Sequence, residues 1–100
     1  MVNLEAKQLA IVKSILNHYI PTAEIWIFGS RITDNYKPYS DLDLIIKHCD
    51  SLDKKTLFKL MDAFEESDLI IKIDLLDWQT TSPEFNQVVL KNYQIFDFRQ

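Results

Sequence analysis

The fold is decided by residues 25 to 46, IWIFGSRITDNYKPYSDLDLII. An apolar run of β-branched and aromatic residues ends at the only glycine of the chain. A polar loop then leads into Asp41 and Asp43, which alternate with leucines ahead of two isoleucines. The first run is typical of a strand buried on both faces, and the loop between the runs is rich in turn-forming residues. We therefore expect strands over 25–28 and 42–47.

Helical patterns flank this stretch. Apolar residues recur at helical spacing over 4–19 and 53–67. A Ser or Thr cap, a proline and a glutamate at 81–84 predict the start of a third helix, with the glutamate completing a capping box. The apolar run 69–76 predicts a third strand, and 93–98 predicts a short edge strand. This order indicates an α+β domain, a small mixed β-sheet with helices packed on it.

Composition narrows the class of protein. One hundred residues suffice for a single small domain, and 47% hydrophobic with 26% charged residues is typical of a globular chain. The net charge of -4 argues against sequence-independent nucleic-acid binding, which needs a basic face. No apolar run is long enough for a membrane span, and Glu5 and Lys7 argue against a signal peptide. The single cysteine, Cys49, favours a reducing compartment, so we expect a cytoplasmic location.

Gly29 is the first candidate functional residue. Average usage would place about seven glycines in a chain of this length, and the one present falls where a buried strand ends. Ser30 follows, and successive backbone N–H groups in such a turn can bind phosphate. Arg31 could add positive charge. An ordinary strand-ending turn would have the same residues, so the glycine and serine do not decide between the two interpretations.

Two aspartates form the second candidate feature. Asp41 and Asp43 share one face of the predicted strand, roughly 7 Å apart, since strand side chains alternate. Two like charges on one face favour a divalent cation with oxygen ligands, such as Mg²⁺. The alternative is that Asp41 caps a turn and Asp43 is a solvated edge residue.

Asp74 favours the first interpretation. It interrupts an apolar strand, where an unpaired charge is costly to bury. If that strand neighbours the one that carries Asp43, the carboxylates can form one cluster. The alternative is a solvent-facing Asp74 paired with Lys72. We expect Asp77, on the opposite face, to be solvated.

Together these residues carry a resemblance. Gly29-Ser30, ten intervening residues, Asp41-Leu42-Asp43-Leu44 and the later Asp74 resemble the signature of the nucleotidyltransferase superfamily that includes DNA polymerase beta. The short chain and the last helix, which begins PEF, are similar to the minimal nucleotidyltransferases (MNT), which are found beside HEPN-domain partners. Where many relatives carry a second glycine, Asp34-Asn35 stands instead, and Asn tolerates the left-handed conformation.

The resemblance implies a palm-like fold and metal-dependent transfer of AMP from ATP to a hydroxyl of a HEPN-type toxin, with this chain as the antitoxin. It further implies a homo- or hetero-oligomer and a site for Mg²⁺, or Mn²⁺. The residues that it implicates are Asp41, Asp43 and Asp74, as catalytic residues and metal ligands, and Gly29, Ser30 and Arg31, as nucleotide-binding residues, Arg31 being the weaker candidate.

Two other functions fit the sequence less well. A non-catalytic module could neutralise a toxin by binding it, using the C-terminal aromatic residues Tyr93, Phe96 and Phe98 if these are exposed. Core packing of the same residues is the alternative that we favour. Modification of a small molecule is the third possibility, but such relatives hold their substrate with an additional helical domain.

Overall fold

The computed structural model describes residues 4–33, 37, 40–49 and 52–99. Within these ranges the chain forms three α-helices, four strands and one short 3-10 turn, and the predicted α+β order is confirmed. Asn3, Asp34 and Asn35 lie outside the described residues. The helical pattern at 4–19 favours Asn3 as a cap, but the residue at the cap position of the first helix is Glu5. The elements are α1 (Ala6–Tyr19), β1 (Glu24–Phe28), the 3-10 turn (Ser30–Ile32), β2 (Leu42–His48), α2 (Lys54–Glu65), β3 (Ile73–Asp77), α3 (Pro83–Lys91) and β4 (Tyr93–Ile95).

The strands form one mixed sheet in the order β3-β2-β1-β4. Strand β1 is antiparallel to both β2 and β4, whereas β3 is parallel to β2. The register pairs Phe28 with Asp43 across the antiparallel ladder, and Asp43 with Asp74 across the parallel one. These three residues therefore form one row across the sheet, at the end of β1 and near the start of β2.

Apolar side chains cover both faces of the sheet. On one face, Leu44 is fully buried among residues of α1 and α2, including Leu16 and Leu60. On the other face, Trp26 and Ile45 pack against α3. Burying one such side chain contributes about 1.5–3 kcal/mol, so both helical layers hold the central strands in place. Because side chains alternate along β2, Asp43 lies on the α3 face of the sheet.

Side-chain caps define the starts of two helices. The Asp53 carboxylate accepts a hydrogen bond from the Thr56 backbone N–H at 2.7 Å, at the start of α2. The Ser82 hydroxyl accepts one from the Phe85 N–H at 3.1 Å, at the start of α3. Because Ser82 is the cap, the position three residues on is Phe85 and not Glu84, so the predicted capping box is wrong. Glu84 instead lies in the first turn, where the helix dipole favours an acidic side chain.

The third strand is shorter than its apolar run predicts. The run covers 69–76, but β3 spans Ile73–Asp77. The backbone N–H of Ile70 donates to the Gln8 side chain of α1 at 2.9 Å, and the Ile70 side chain is 79% exposed. The first residues of the run therefore pass over α1, and pairing with β2 begins only after them.

The chain ends in a mixture of buried and exposed aromatic residues. Phe96 and Phe98 are buried in the core formed with α1 and α2, whereas Tyr93 is partly exposed and stacks on Trp26 with ring centroids 4.0 Å apart. Core packing of the two phenylalanines is thus confirmed. Among the residues described, none of the helices combines the length and apolarity needed to cross a membrane.

Candidate active site

The site begins where β1 ends. Gly29 has a φ of 81°, the only positive φ among the described residues. A Cβ atom added there would lie 3.1 Å from the Asp43 Cγ and closer still to its Oδ2. Glycine is therefore required for two reasons, since a side chain would be strained by the backbone and would also displace the carboxylate. The strand-ending turn and the carboxylate of β2 are in direct contact.

A short 3-10 turn follows the glycine. The Ile32 N–H donates to the Gly29 carbonyl at 3.5 Å, and both the N–H and the hydroxyl of Thr33 donate to the Ser30 carbonyl, at 3.1 and 2.9 Å. The N–H of Ser30 precedes the first of these bonds, a position at which a backbone N–H has no partner within the turn. The turn can thus present a backbone donor and a hydroxyl beside the carboxylates.

The three aspartates differ in exposure and position. Asp43 and Asp74 are direct neighbours on the parallel strands β2 and β3, which lie about 4.8 Å apart in such a ladder. Asp43 is half-buried, whereas Asp41 and Asp74 are exposed. Asp41 lies one residue before the start of β2. Asp77, by contrast, is on the other face of β3, and its side chain accepts a hydrogen bond from the Gln79 N–H at 3.1 Å.

The pKa of Asp43 is shifted by its burial and by the charges of the other two aspartates. Burial, the negative charge of Asp74 and the negative charge of Asp41, in decreasing order, together raise the pKa of Asp43 from 3.8 to about 6. Ionising Asp43 therefore costs free energy in the protein alone. A cation at this position would remove that cost.

The donors present suit a cation that is shared with a nucleotide. Within the described ranges, no three His, Cys, Asp or Glu side chains are grouped closely enough to hold a metal ion alone. Mg²⁺ does not need such a group, because it usually takes one or two carboxylates and completes its shell with water and phosphate oxygens. The hard oxygen donors of Asp41, Asp43 and Asp74 fit this mode of binding.

The Arg31 side chain binds the protein backbone, which its position in the sequence does not indicate. The side chain is only 3% exposed, and its Nε and Nη2 atoms donate to the carbonyl oxygen of Ser40 at 3.1 and 2.9 Å. Ser40 directly precedes Asp41. Sequence reasoning missed Ser40 because it acts here through a backbone atom, which carries no signal in the residue type.

Comparison with known proteins places the chain in a family. Residues 11–98 match the family model described as Polymerase beta, Nucleotidyltransferase. The chain is 42% identical over 98 residues to the probable protein adenylyltransferase MntA of Haemophilus influenzae, and the match covers 98% of this chain and 86% of that protein.

Two solved structures share the fold. The first is a toxin–antitoxin structure with AMP-PNP, with a TM-score of 0.65, 24% identity, and coverage of 87% of this chain and 70% of that chain. The second is the tri-AMPylated HEPN toxin of Shewanella oneidensis in complex with MNT antitoxin, with a TM-score of 0.61, 23% identity, and coverage of 92% and 71% respectively.

Proposed function

This chain belongs to the Polymerase beta nucleotidyltransferase family, and we propose that it transfers AMP from ATP to a hydroxyl of a HEPN-domain partner and thereby acts as an antitoxin. The observation that carries the proposal is the contact of Gly29 with Asp43, which is itself paired with Asp74 on the neighbouring strand. This contact supports the proposal because the turn that would bind phosphate lies beside the carboxylates of Asp43 and Asp74. The name of the Haemophilus relative, a probable protein adenylyltransferase, supports AMP as the group transferred. The AMPylated HEPN toxin in the Shewanella complex supports the class of acceptor.

Each site residue has a role in this reaction. Asp41 and Asp43 would hold a divalent cation, Mg²⁺ or Mn²⁺, with Asp74 as a further ligand. When bound, the cation supplies positive charge against the triphosphate and the leaving pyrophosphate. Gly29 and Ser30 would bind the terminal phosphates through the turn. Arg31 is the weaker candidate for a phosphate contact.

The transfer itself is a displacement at phosphorus. The acceptor hydroxyl oxygen attacks the α-phosphorus of ATP in line, the bond from that phosphorus to the bridging oxygen breaks, and pyrophosphate leaves. The hydroxyl proton passes to Asp74. The Asp74 carboxylate is exposed, which suits the role of a base that a hydroxyl on another protein must be able to reach.

A cavity in the described part of the chain lies away from the carboxylates. A cavity of about 460 Å³ lies between α2 and the segment that enters β3, lined mainly by apolar side chains. Because Asp43 and Asp74 lie on the α3 face, that cavity opens on the opposite side of the sheet from them. An acceptor that reaches the carboxylates would therefore not occupy this cavity. The cavity residues include Met61, Phe64, Leu69, Ile71 and Leu75.

The test is transfer of label from α-labelled ATP to a HEPN-domain protein of the same organism, with Mg²⁺ present. Wild-type protein should label the partner, and the variant with Asp41→Ala and Asp43→Ala should not. Asp62→Ala, which removes an exposed carboxylate from α2, is the control and should transfer normally. The proposal is wrong if the wild type transfers no label, or if the doubly substituted variant transfers as much as the wild type.

The non-catalytic alternative loses most of its support, since Phe96 and Phe98 are in the core and unavailable to a partner. It would return if a variant lacking all three carboxylates still neutralised the toxin fully. We also propose a cytoplasmic location and assembly with the partner or with further copies of the chain. The free thiol of Cys49 is consistent with a reducing compartment.

A further inference from the structure

The side chain of Arg31 connects the glycine turn to the segment that carries the first aspartate. Its guanidinium donates two hydrogen bonds to one acceptor, the Ser40 carbonyl oxygen, and the side chain is almost fully buried. A charged donor to a carbonyl forms a stronger hydrogen bond than a neutral one. Because a buried guanidinium is costly to leave without acceptors, the two hydrogen bonds to Ser40 stabilise this arrangement.

Ser40 is held from a second direction as well. Its hydroxyl accepts a hydrogen bond from the Lys37 N–H at 2.8 Å, and its own N–H donates to the Lys37 carbonyl at 2.9 Å. With Arg31 on its carbonyl, the N–H, hydroxyl and carbonyl of Ser40 all have partners. These bonds together fix the position of Ser40 in the chain.

Asp41 thus lies between two fixed residues. On its other side, the Leu42 N–H donates to the Lys72 carbonyl at 3.0 Å, where β2 begins to pair with the segment leading into β3. The Asp41 side chain is exposed, so its own packing does little to fix its direction. Its backbone direction is set by Ser40 before it and Leu42 after it.

We infer that Arg31 is a positioning residue, which fixes the backbone ahead of Asp41 so that its carboxylate is directed to bind a divalent cation together with Asp43. This role deepens the proposed function and rests on it for its catalytic consequence. It differs from a direct contact between Arg31 and a phosphate, because the effect reaches the site through Ser40 and Asp41. Lysine would retain the charge but lose the two-pronged geometry, so it would be a partial substitute.

The inference is tested by measuring Mn²⁺ affinity with electron paramagnetic resonance, in the presence of a non-hydrolysable ATP analogue. Arg31→Met should weaken Mn²⁺ binding about tenfold or more, the size of effect seen when a residue that orients a metal ligand is removed. Arg31→Lys should fall between Arg31→Met and the wild type, and it serves if the methionine variant does not fold. The matched control is Arg99→Met, because Arg99 also donates to backbone carbonyls, those of Pro21 and Ala23, before the start of β1. It should bind Mn²⁺ like the wild type.

Double variants identify the residue through which Arg31 acts. In an Asp41→Asn background, Arg31→Met should weaken Mn²⁺ binding by less than twofold further, whereas in a Ser30→Ala background it should have its full effect. The reverse pattern would assign Arg31 to the phosphates and would overturn the inference. Unchanged Mn²⁺ binding by folded Arg31→Lys and Arg31→Met would also overturn it, and so would a wild type that binds no Mn²⁺. A wild type that binds Mn²⁺ but labels no partner would refute the proposed function alone.

Discussion

The Gly29 α-carbon lies against the carboxylate of Asp43, so closely that a methyl group on the glycine would stand 3.1 Å from the Asp43 Cγ. The contact joins the end of β1 to the start of β2, and it requires the absence of a side chain. It explains why a chain with one glycine has it at this position. The turn that would hold phosphates and the carboxylate that would hold the cation constrain each other.

We predict that Gly29→Ala abolishes transfer and destabilises the protein. A non-glycine residue at a φ of 81° costs about 1–3 kcal/mol, and the clash with Asp43 adds to this. Urea unfolding measures the loss. In an Asp43→Ala background the carboxylate is gone, so the further cost of Gly29→Ala should fall toward the backbone contribution alone. An equal cost in both backgrounds would show that the contact with Asp43 carries no strain.

A second prediction concerns pH. The folded-state pKa of Asp43 is about 6 and its ordinary value is 3.8, so between these values the folded protein binds this proton more tightly than the unfolded chain does. The contribution of Asp43 to stability is therefore full below pH 4 and is lost as the pH rises through 6. Because the carboxyl is only half-buried, solvent screening reduces the effect to about 1 kcal/mol, or a few degrees of Tm.

The measurement is Tm in EDTA at pH 4.5 and pH 7 for the wild type and Asp43→Asn. The variant should be the more stable protein at pH 7, and the difference should shrink at pH 4.5. Adding Mg²⁺ and an ATP analogue at pH 7 should raise the Tm of the wild type only. A difference between the two proteins that did not change with pH would contradict a raised pKa.

Local patterns predict some parts of this fold well and others poorly. The strands predicted over 25–28 and 42–47 are present as β1 and β2. They could be predicted because a short run of apolar side chains is what a buried strand requires, and such a run is visible in the sequence. The start of β3 could not be predicted from its own residues, because the side chain of Gln8, distant in the sequence, accepts a hydrogen bond from the Ile70 N–H. Tertiary contacts of this kind override an apolar run.

The candidate site shows the same division. The types and spacing of Gly29, Asp41 and Asp43 are evident in the sequence, but their relation to Asp74 depends on β3 lying parallel to β2 in a particular register. No local pattern sets that register. The contact of Arg31 with the carbonyl of Ser40 is also invisible to residue type, because every residue has a carbonyl.

A third prediction separates Asp74 from its neighbour on the same strand. Asp74→Asn should lower the rate of AMP transfer by about 10²–10⁴-fold, the usual effect of removing a general base, with little change in stability because the side chain is exposed. Asp77→Asn is the matched control. Asp77 is on the opposite face of β3, and asparagine keeps the oxygen that accepts the Gln79 N–H, so its rate should stay within twofold of wild type. Equal losses in the two variants would remove Asp74 from the mechanism.

A fourth prediction tests whether the C-terminal aromatic residues serve the fold or a partner. The Phe98 side chain is fully buried, and its carbonyl accepts a hydrogen bond from the Asn17 side chain of α1 at 2.5 Å. Phe98→Ala should therefore cost about 3–5 kcal/mol, which is a large part of the stability of a domain this size, and Phe98→Leu should cost less. Tyr93 is 39% exposed and stacks on Trp26, so Tyr93→Ala should cost about 1 kcal/mol. Urea unfolding gives these values, and titration with the partner gives the affinity. If Phe98→Leu retained full stability but lost affinity for the partner, the buried position of Phe98 would be wrong and the C-terminal segment would be an interaction surface.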